Sequence, residues 1–364
     1  MIYQVQFLHE LKIRGILETV MRERIKSIDS LRMLAILAVV LIHTTTRTLE
    51  ASKFNLIGFS WTLFLNQIAR FAVPLFFVIS GFVLEISWDA SLSYFSFLKK
   101  RFSRIFIPYV FWSLIYYFFV YTQNHENFIQ VILKGDASYQ LYFIPALCIF
   151  YLIFPFLNKI YKIVSNKFFL TFIFLSQMWF LYKDYFVKQF RFDDPVHIAI
   201  LAYFFFIVGI VAARNMDRIK TFVQKWKYII FSGAALTGIY VFWEGRDRYL
   251  ATGNYLSYYS QWRPSVLIYV ILIALVFFHL FEKTGLQFSL VEKLSRLSFL
   301  VFLIHVIVLE NIWSFFGKNL FTLMNQNVTG KILFDPVFFG IVAGVSFLIA
   351  FILHKVPKLY KLTG

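Results

Sequence analysis

Two ionisable residues, Arg32 and His43, stand in the first long apolar run of the chain. Such side chains are costly in hydrocarbon, so they face a protein interior and mark functional sites by default. They are eleven positions apart. At 3.6 residues per turn this is about three turns, so both share one helix face, about 16 Å apart along the axis. A histidine near its ordinary pKa can take the proton of a hydroxyl nucleophile as a bond forms. A guanidinium forms bidentate, charge-assisted bonds to phosphate. Arg101 and Arg104 are three apart and share a helix face, which suits either phosphate binding or anchoring at a membrane surface. Alone, a histidine in a helix is more often a structural hydrogen-bonder than a catalyst, and His43 by itself reads that way. Asp29, just before the run, reads as a helix cap.

Other candidates are weaker. Ser80 and Gly81 form a small pair that lets a neighbouring helix approach closely, and Ser80 has no identifiable base beside it. Glu85 follows Gly81 by one turn, and Glu310 follows His305 by five residues. Either acid could orient a histidine, bind a sugar hydroxyl or lie at a lipid interface. Arg70 reads as an interfacial anchor. His9, His125, His197, His279 and His354 are scattered without metal-ligand spacing, so no metal site is expected. The single cysteine, Cys148, excludes a disulfide framework and reads as a small buried apolar group.

These residues need elements that hold them within a bilayer. Of the 364 residues, 60% are hydrophobic and 15% charged, against about 45–50% and about 25% in soluble domains. A span takes roughly 20 apolar residues. Apolar runs near 30–47, 70–88, 105–121, 141–158, 168–183, 195–213, 228–243, 264–281, 298–316 and 336–354 predict an all-α, polytopic membrane protein with about ten transmembrane helices. The stretch from Ile57 to Trp88 is too long for one straight span, and Pro74 is expected to divide it. About 24 of the 36 basic residues fall in alternate connections, which places that side and both termini in the cytoplasm. The net charge of +17 is thereby read as orientation in an inner or plasma membrane, with lipid and not nucleic acid as partner.

Residues 1–26 read as a cytoplasmic lead, 27–354 as the membrane domain and 355–364 as a short cytoplasmic tail. No signal peptide is visible. Met21, followed by Arg22, Glu23, Arg24 and Lys26, is an expected translation start, which intact-mass measurement of the native protein checks. The longest outer connections, near 122–140, 244–263 and 317–335, are polar and aromatic. Tyr249, Tyr255, Tyr258, Tyr259 and Trp262 could hold a sugar by stacking or form an interfacial aromatic belt.

The string Ile28-Asp29-Ser30-Leu31-Arg32 through His43 resembles the opening of the acyltransferase 3 family, in which a short Asp-x-Leu-Arg sequence supplies an arginine separated by ten intervening residues from a histidine. Val73-Pro74-Leu75-Phe76-Phe77-Val78-Ile79-Ser80-Gly81-Phe82 resembles its second-helix signature. Arg101-Phe102-Ser103-Arg104, with Ile105, Pro108 and Tyr109, resembles its Arg-x-x-Arg loop. Tyr142-Phe143-Ile144-Pro145-Ala146-Leu147, then Pro155, is similar to its fourth-helix region. Leu303-Ile304-His305 resembles its late histidine motif, although Phe302 and Leu303 stand where a Tyr or Trp is common. The resemblance runs from residue 24 to about residue 354.

The resemblance implies an O-acyltransferase that moves an acyl group, usually acetyl, from cytoplasmic acyl-coenzyme A to a hydroxyl of an extracytoplasmic or lipid-linked carbohydrate. It implies acetyl-CoA as donor, no metal, His43 as the catalytic residue, and Arg32, Arg101 and Arg104 as the coenzyme ligands. Asp29, Ser80, Gly81, Glu85, His305 and Glu310 become supporting candidates. The pantetheine arm is broadly as long as the rise from Arg32 to His43. A general base contributes roughly 10²–10⁴ in rate; an acyl-histidine relay is the alternative. Peptidoglycan, capsule, teichoic acid, other surface glycans and small secondary metabolites all remain open as acceptors, as do succinyl or longer donors. A transporter or flippase of a lipid-linked sugar would share the spans and aromatic loops. It would not need an arginine and a histidine on one face, and no convincing repeat favours it. A non-catalytic scaffold leaves Arg32 and His43 unexplained.

Overall fold

The computed structural model describes residues 2–52, 61–121, 127–188, 194–252, 260–284, 289–326 and 328–356, with side chains from Lys26 onward. Every regular element among them is helical. In chain order they are α1 (Ile2–Ala51), α2 (Trp61–Ile68), α3 (Ala72–Ile86), α4 (Tyr94–Ile115), α5 (Phe128–Lys134), α6 (Phe143–Lys159), α7 (Tyr161–Val164), α8 (Lys167–Tyr182), α9 (Val196–Arg214), α10 (Met216–Thr252), α11 (Pro264–Thr284), α12 (Ser289–Ile312), α13 (Lys318–Met324) and α14 (Val328–His354). Single π-helical turns, Tyr116–Val120, Lys183–Val187 and Trp313–Gly317, extend α4, α8 and α12. Side-chain caps start several helices: Ser93 accepts from the Ser96 N–H, Asn127 from Ile129 and Asn166 from Phe168.

Among the described residues, seven helical stretches are long and apolar enough to cross a membrane: Lys26–Ala51, Trp61–Ile86, Tyr94–Val120, Val196–Arg214, Pro264–Lys283, Leu290–Met324 and Val328–His354. The other three apolar runs are also helical. α6 is a shorter apolar helix of 17 residues and α8 has 16. The run 228–243 lies within the 37-residue α10, between Lys225 and Lys227 on one side and Glu244, Arg246 and Asp247 on the other. The stretch from Ile57 to Trp88, described from residue 61 onward, does divide, but at residues 69–71 and not at Pro74. Pro74 sits in the first turn of α3, where its missing N–H would have had no helical partner.

α1 packs against α12, α3 and α14, and α3 packs most closely against α9. The α3–α9 contact depends on two glycines. A Cβ at Gly81 would lie 2.1 Å from the Phe206 carbonyl oxygen, and one at Gly209 would lie 2.0 Å from that of Val78. Glu85, near the end of α3, forms an ion pair with Arg214 of α9 and accepts from Asn158 Nδ2 of α6 at 2.9 Å. Arg214 also stacks on the Tyr161 ring, 3.8 Å from its centroid. Glu85 therefore ties three helices, and its partners among the described residues are Arg214 and Asn158, with no histidine. Its replacement by alanine removes the acceptor shared by the exposed Arg214 and the half-buried Asn158 and is expected to cost about 1 kcal/mol of stability. The check is a lower unfolding temperature in detergent for Glu85→Ala.

Candidate functional site

Two cavities enter the bundle from opposite ends. The first, at the Arg32 end, has a volume of about 240 Å³. Arg32 of α1 and both Arg101 and Arg104 of α4 reach it, so the structure brings the three arginines together. Their local supports differ. Arg32 Nη1 donates to Asp29 Oδ1 at 2.9 Å, and Ser295 Oγ of α12 donates to the same oxygen at 3.0 Å. Asp29 is thus not a helix cap, because α1 continues unbroken through it; its carboxylate fixes Arg32 and joins α1 to α12. Arg101 Nη2 donates to Ser87 Oγ at 2.6 Å, and its guanidinium lies over Phe97. Beyond the charged mouth the wall is mainly apolar, with Phe76, Ile79, Leu147 and Phe299, interrupted by Ser80, Tyr151 and Ser298.

The second cavity, about 370 Å³, opens at the His43 end. His43 lines it, flanked by the Tyr139 ring at 4.8 Å and the His305 ring at 5.2 Å between centroids. His305 is fully buried in α12. Its Nδ1 lies 3.0 Å from the Val301 carbonyl and 2.9 Å from that of Phe302. Carbonyls only accept, so Nδ1 carries the proton in the neutral ring and Nε2 is an acceptor. Nε2 is buried without a hydrogen-bond partner among the described residues. Tyr139 is held by its neighbours. Ser138 Oγ donates to Gln140 Oε1 at 2.6 Å, Gln140 Nε2 donates to Tyr116 Oη at 3.0 Å, and Tyr116 donates to the Leu303 carbonyl of α12. Gly135, at φ 87°, makes the left-handed turn after α5 that leads into this segment.

Glu310 also lines this cavity but serves neither histidine. It pairs with Arg47 at 3.2 Å, and Arg47 pairs with Glu50 at 3.3 Å and lies over the Trp313 ring. Arg70 corrects its interfacial reading: it is 3% exposed and lines the His43 cavity. Asn66, one turn earlier, accepts from Arg70 and donates through Nδ2 to the Ile42 carbonyl at 3.1 Å and to Thr45 Oγ1 at 3.0 Å. Gln67 accepts from the fully buried Arg263, which pairs with Glu244 at 3.3 Å. This polar chain runs from α10 and α11 through α2 to the turn of α1 that bears His43. Arg47 and Arg70 are the site residues that sequence reasoning missed. The available signal was Asn66 and Arg70 four apart, with Gln67 between them, beside an apolar span.

A wider opening of about 560 Å³ adjoins the His43 cavity and shares Tyr139, Tyr142 and Gln261 with it. Tyr121, Asp136, Asp194 and Trp262 complete much of its wall. The Tyr142 hydroxyl accepts from Gln261 Nε2 at 2.5 Å. Of the aromatic residues named as sugar platforms, Trp262 lines this opening, while Tyr255, Tyr258 and Tyr259 lie outside the described residues. Among the described residues no group of three His, Cys, Asp or Glu side chains could hold a metal ion.

A protein of Staphylococcus aureus named as a probable poly-beta-1,6-N-acetyl-D-glucosamine export protein is 27% identical over 303 residues, covering 77% of this chain and 82% of the relative. Its namesake from Staphylococcus epidermidis is 24% identical over 300 residues, covering 78% and 81%. A Bacillus subtilis protein named provisionally as a membrane-bound acyltransferase is 23% identical over 302 residues, covering 78% and 80%. No solved structure matches the chain. The profile of the acyltransferase 3 family, described as an acyltransferase domain, matches residues 25–355, and the chain is a multi-pass membrane protein that belongs to that family.

Proposed function

We propose that this protein is an O-acyltransferase of the inner or plasma membrane. It takes an acyl group, acetyl foremost, from acyl-CoA at the Arg32 end and delivers it to a carbohydrate hydroxyl at the His43 end. The observation that carries this reading is the pair of cavities on opposite sides of one residue, Phe302, with three guanidiniums in the first and His43 in the second. The positive-inside bias puts the Arg32 end and both termini in the cytoplasm, with α6, α8 and α10 completing a ten-span bundle. Arg32, Arg101 and Arg104 suit the phosphates of coenzyme A, and the apolar wall behind them suits the pantetheine arm.

His43 removes the proton of the acceptor hydroxyl as its oxygen attacks the thioester carbonyl. The carbon–sulfur bond breaks, the ester bond forms, and the thiolate of coenzyme A leaves and takes up a proton. His305 faces His43 as an acceptor-bearing ring and orients it or shares its proton. The alternative path, in which His43 itself carries the acyl group, uses the same geometry. Arg47, Arg70, Glu310 and the adjoining aromatic opening supply hydrogen-bonding and stacking surface for a sugar. The staphylococcal relatives' names point to an amino-sugar polymer at the cell surface as the acceptor class. Those names also favour a second reading, in which the bundle exports a polysaccharide.

Arg101→Ala and Arg104→Ala separate the two readings. Each removes a charge-assisted phosphate contact of about 1.5–3 kcal/mol, so KM for acyl-CoA rises roughly 10–150-fold. The assay is loss of label from radiolabelled acetyl-CoA by the purified protein in detergent. If the wild type neither binds nor turns over acyl-CoA of any chain length, the export reading takes its place.

A further inference from the structure

Among the described residues, Phe302 is the one that the linings of the two cavities share. It lies on α12 and is 6% exposed. Its ring centroid is 5.6 Å from that of Phe143 and 6.2 Å from that of His305. Phe143 faces only the Arg32 cavity and is backed by Phe77 at 4.7 Å. The two linings thus meet at Phe302, whose ring is in contact with that of Phe143 on the Arg32 side and that of His305 on the His43 side. An apolar constriction of this kind keeps out water and ions by dewetting. Side chains can change rotamer without any helix moving, and the backbone beneath this ring is pinned where the Phe302 carbonyl accepts from His305 Nδ1 at 2.9 Å.

We propose that the Phe302 ring is a movable septum between the cavities. Closed, it separates the water of the His43 cavity from a group held at the Arg32 end. Turned aside, it opens the route by which an acyl carbonyl reaches His43. Its consequence for catalysis rests on the acyl-transfer reading, whereas its barrier property does not. If the septum is lost, water replaces the sugar hydroxyl: its oxygen attacks the thioester carbon, His43 takes a proton, the carbon–sulfur bond breaks, and acetate and free coenzyme A thiol are released.

The test introduces Val73→Cys, in the wall of the His43 cavity, into a Cys148→Ala background. A membrane-impermeant methanethiosulfonate reagent is applied to intact cells and to inverted membrane vesicles. With Phe302 present, the thiol is expected to react from the cell exterior and roughly tenfold more slowly from the cytoplasmic face. With Phe302→Ala it reacts at similar rates from both, and acceptor-free acyl-CoA hydrolysis rises in the same membranes. Phe302→Leu gives intermediate labelling and serves if the alanine variant does not fold. Equal labelling from both faces with Phe302 intact, or a folded Phe302→Ala that stays closed, overturns the septum. Altered labelling without acyl-CoA turnover in any variant keeps the septum and removes the acyl-transfer reading instead.

Discussion

Replacement of His43 by alanine is expected to lower acyl transfer by roughly 10²–10⁴ while leaving the protein inserted and monodisperse. The size follows from the loss of the group that takes the hydroxyl proton; the donor contacts are separate. Arg32, Arg101 and Arg104 lie in the other cavity, so KM for acyl-CoA stays near its wild-type value and kcat carries the loss. His43 packs against Tyr139 and His305 and contributes no ion pair among the described residues, so its removal costs little packing. Wild-type rates in His43→Ala would remove His43 from the mechanism. The base and relay paths separate in a further measurement on the wild type. Acid quench after incubation with labelled acetyl-CoA, without acceptor, leaves label on the peptide containing His43 only if the relay operates.

The second large effect is structural. Gly81→Ala places a Cβ where the Phe206 carbonyl oxygen stands, and Gly209→Ala does the same toward Val78. Backbone atoms cannot turn aside as a side-chain end can, so α3 and α9 must separate. Overpacking in a well-packed core costs about 1–3 kcal/mol, and here the obstruction on both sides is backbone. The separation reaches Ser80 and Phe76, which line the Arg32 cavity, so a weakened α3–α9 contact also loosens the donor site. Heating the detergent-solubilised variants is expected to show a lower unfolding temperature for Gly81→Ala and Gly209→Ala. Ser80→Ala, one position away on the cavity wall, should unfold like the wild type. Unchanged unfolding of both glycine variants would mean that the two helices need no close approach.

Several features of the site were legible from spacing alone. Arg32 and His43 occupy one face of α1, and the same face meets α12 twice, through Ser295 at one end and His305 at the other. The three-residue step from Arg101 to Arg104 brings both to the cavity that holds Arg32. Other features were not legible, because they depend on which helices become neighbours. Glu85 lies one turn beyond Gly81, yet its partners come from residues 73 and 129 positions away, in α6 and α9. Arg70 stands at a helix end, where a membrane protein often places an anchor, and only the packing of α2 against α1 turns it inward. Asp29 has the residue type of a cap, but α1 begins well before it. Phe302 is one of 48 phenylalanines in the chain. Its position between two cavities has no local signature.

The most direct test of the account is a sidedness assay in sealed vesicles. Labelled acetyl-CoA is supplied at the cytoplasmic face alone and a glucosamine-containing surface polymer at the other face alone. The account predicts ester-linked label on the polymer with wild-type protein, little with His43→Ala, and none when acetyl-CoA is supplied only on the polymer's side. Transfer that proceeds equally well with donor and acceptor confined to one face would contradict passage of the acyl group between the two cavities.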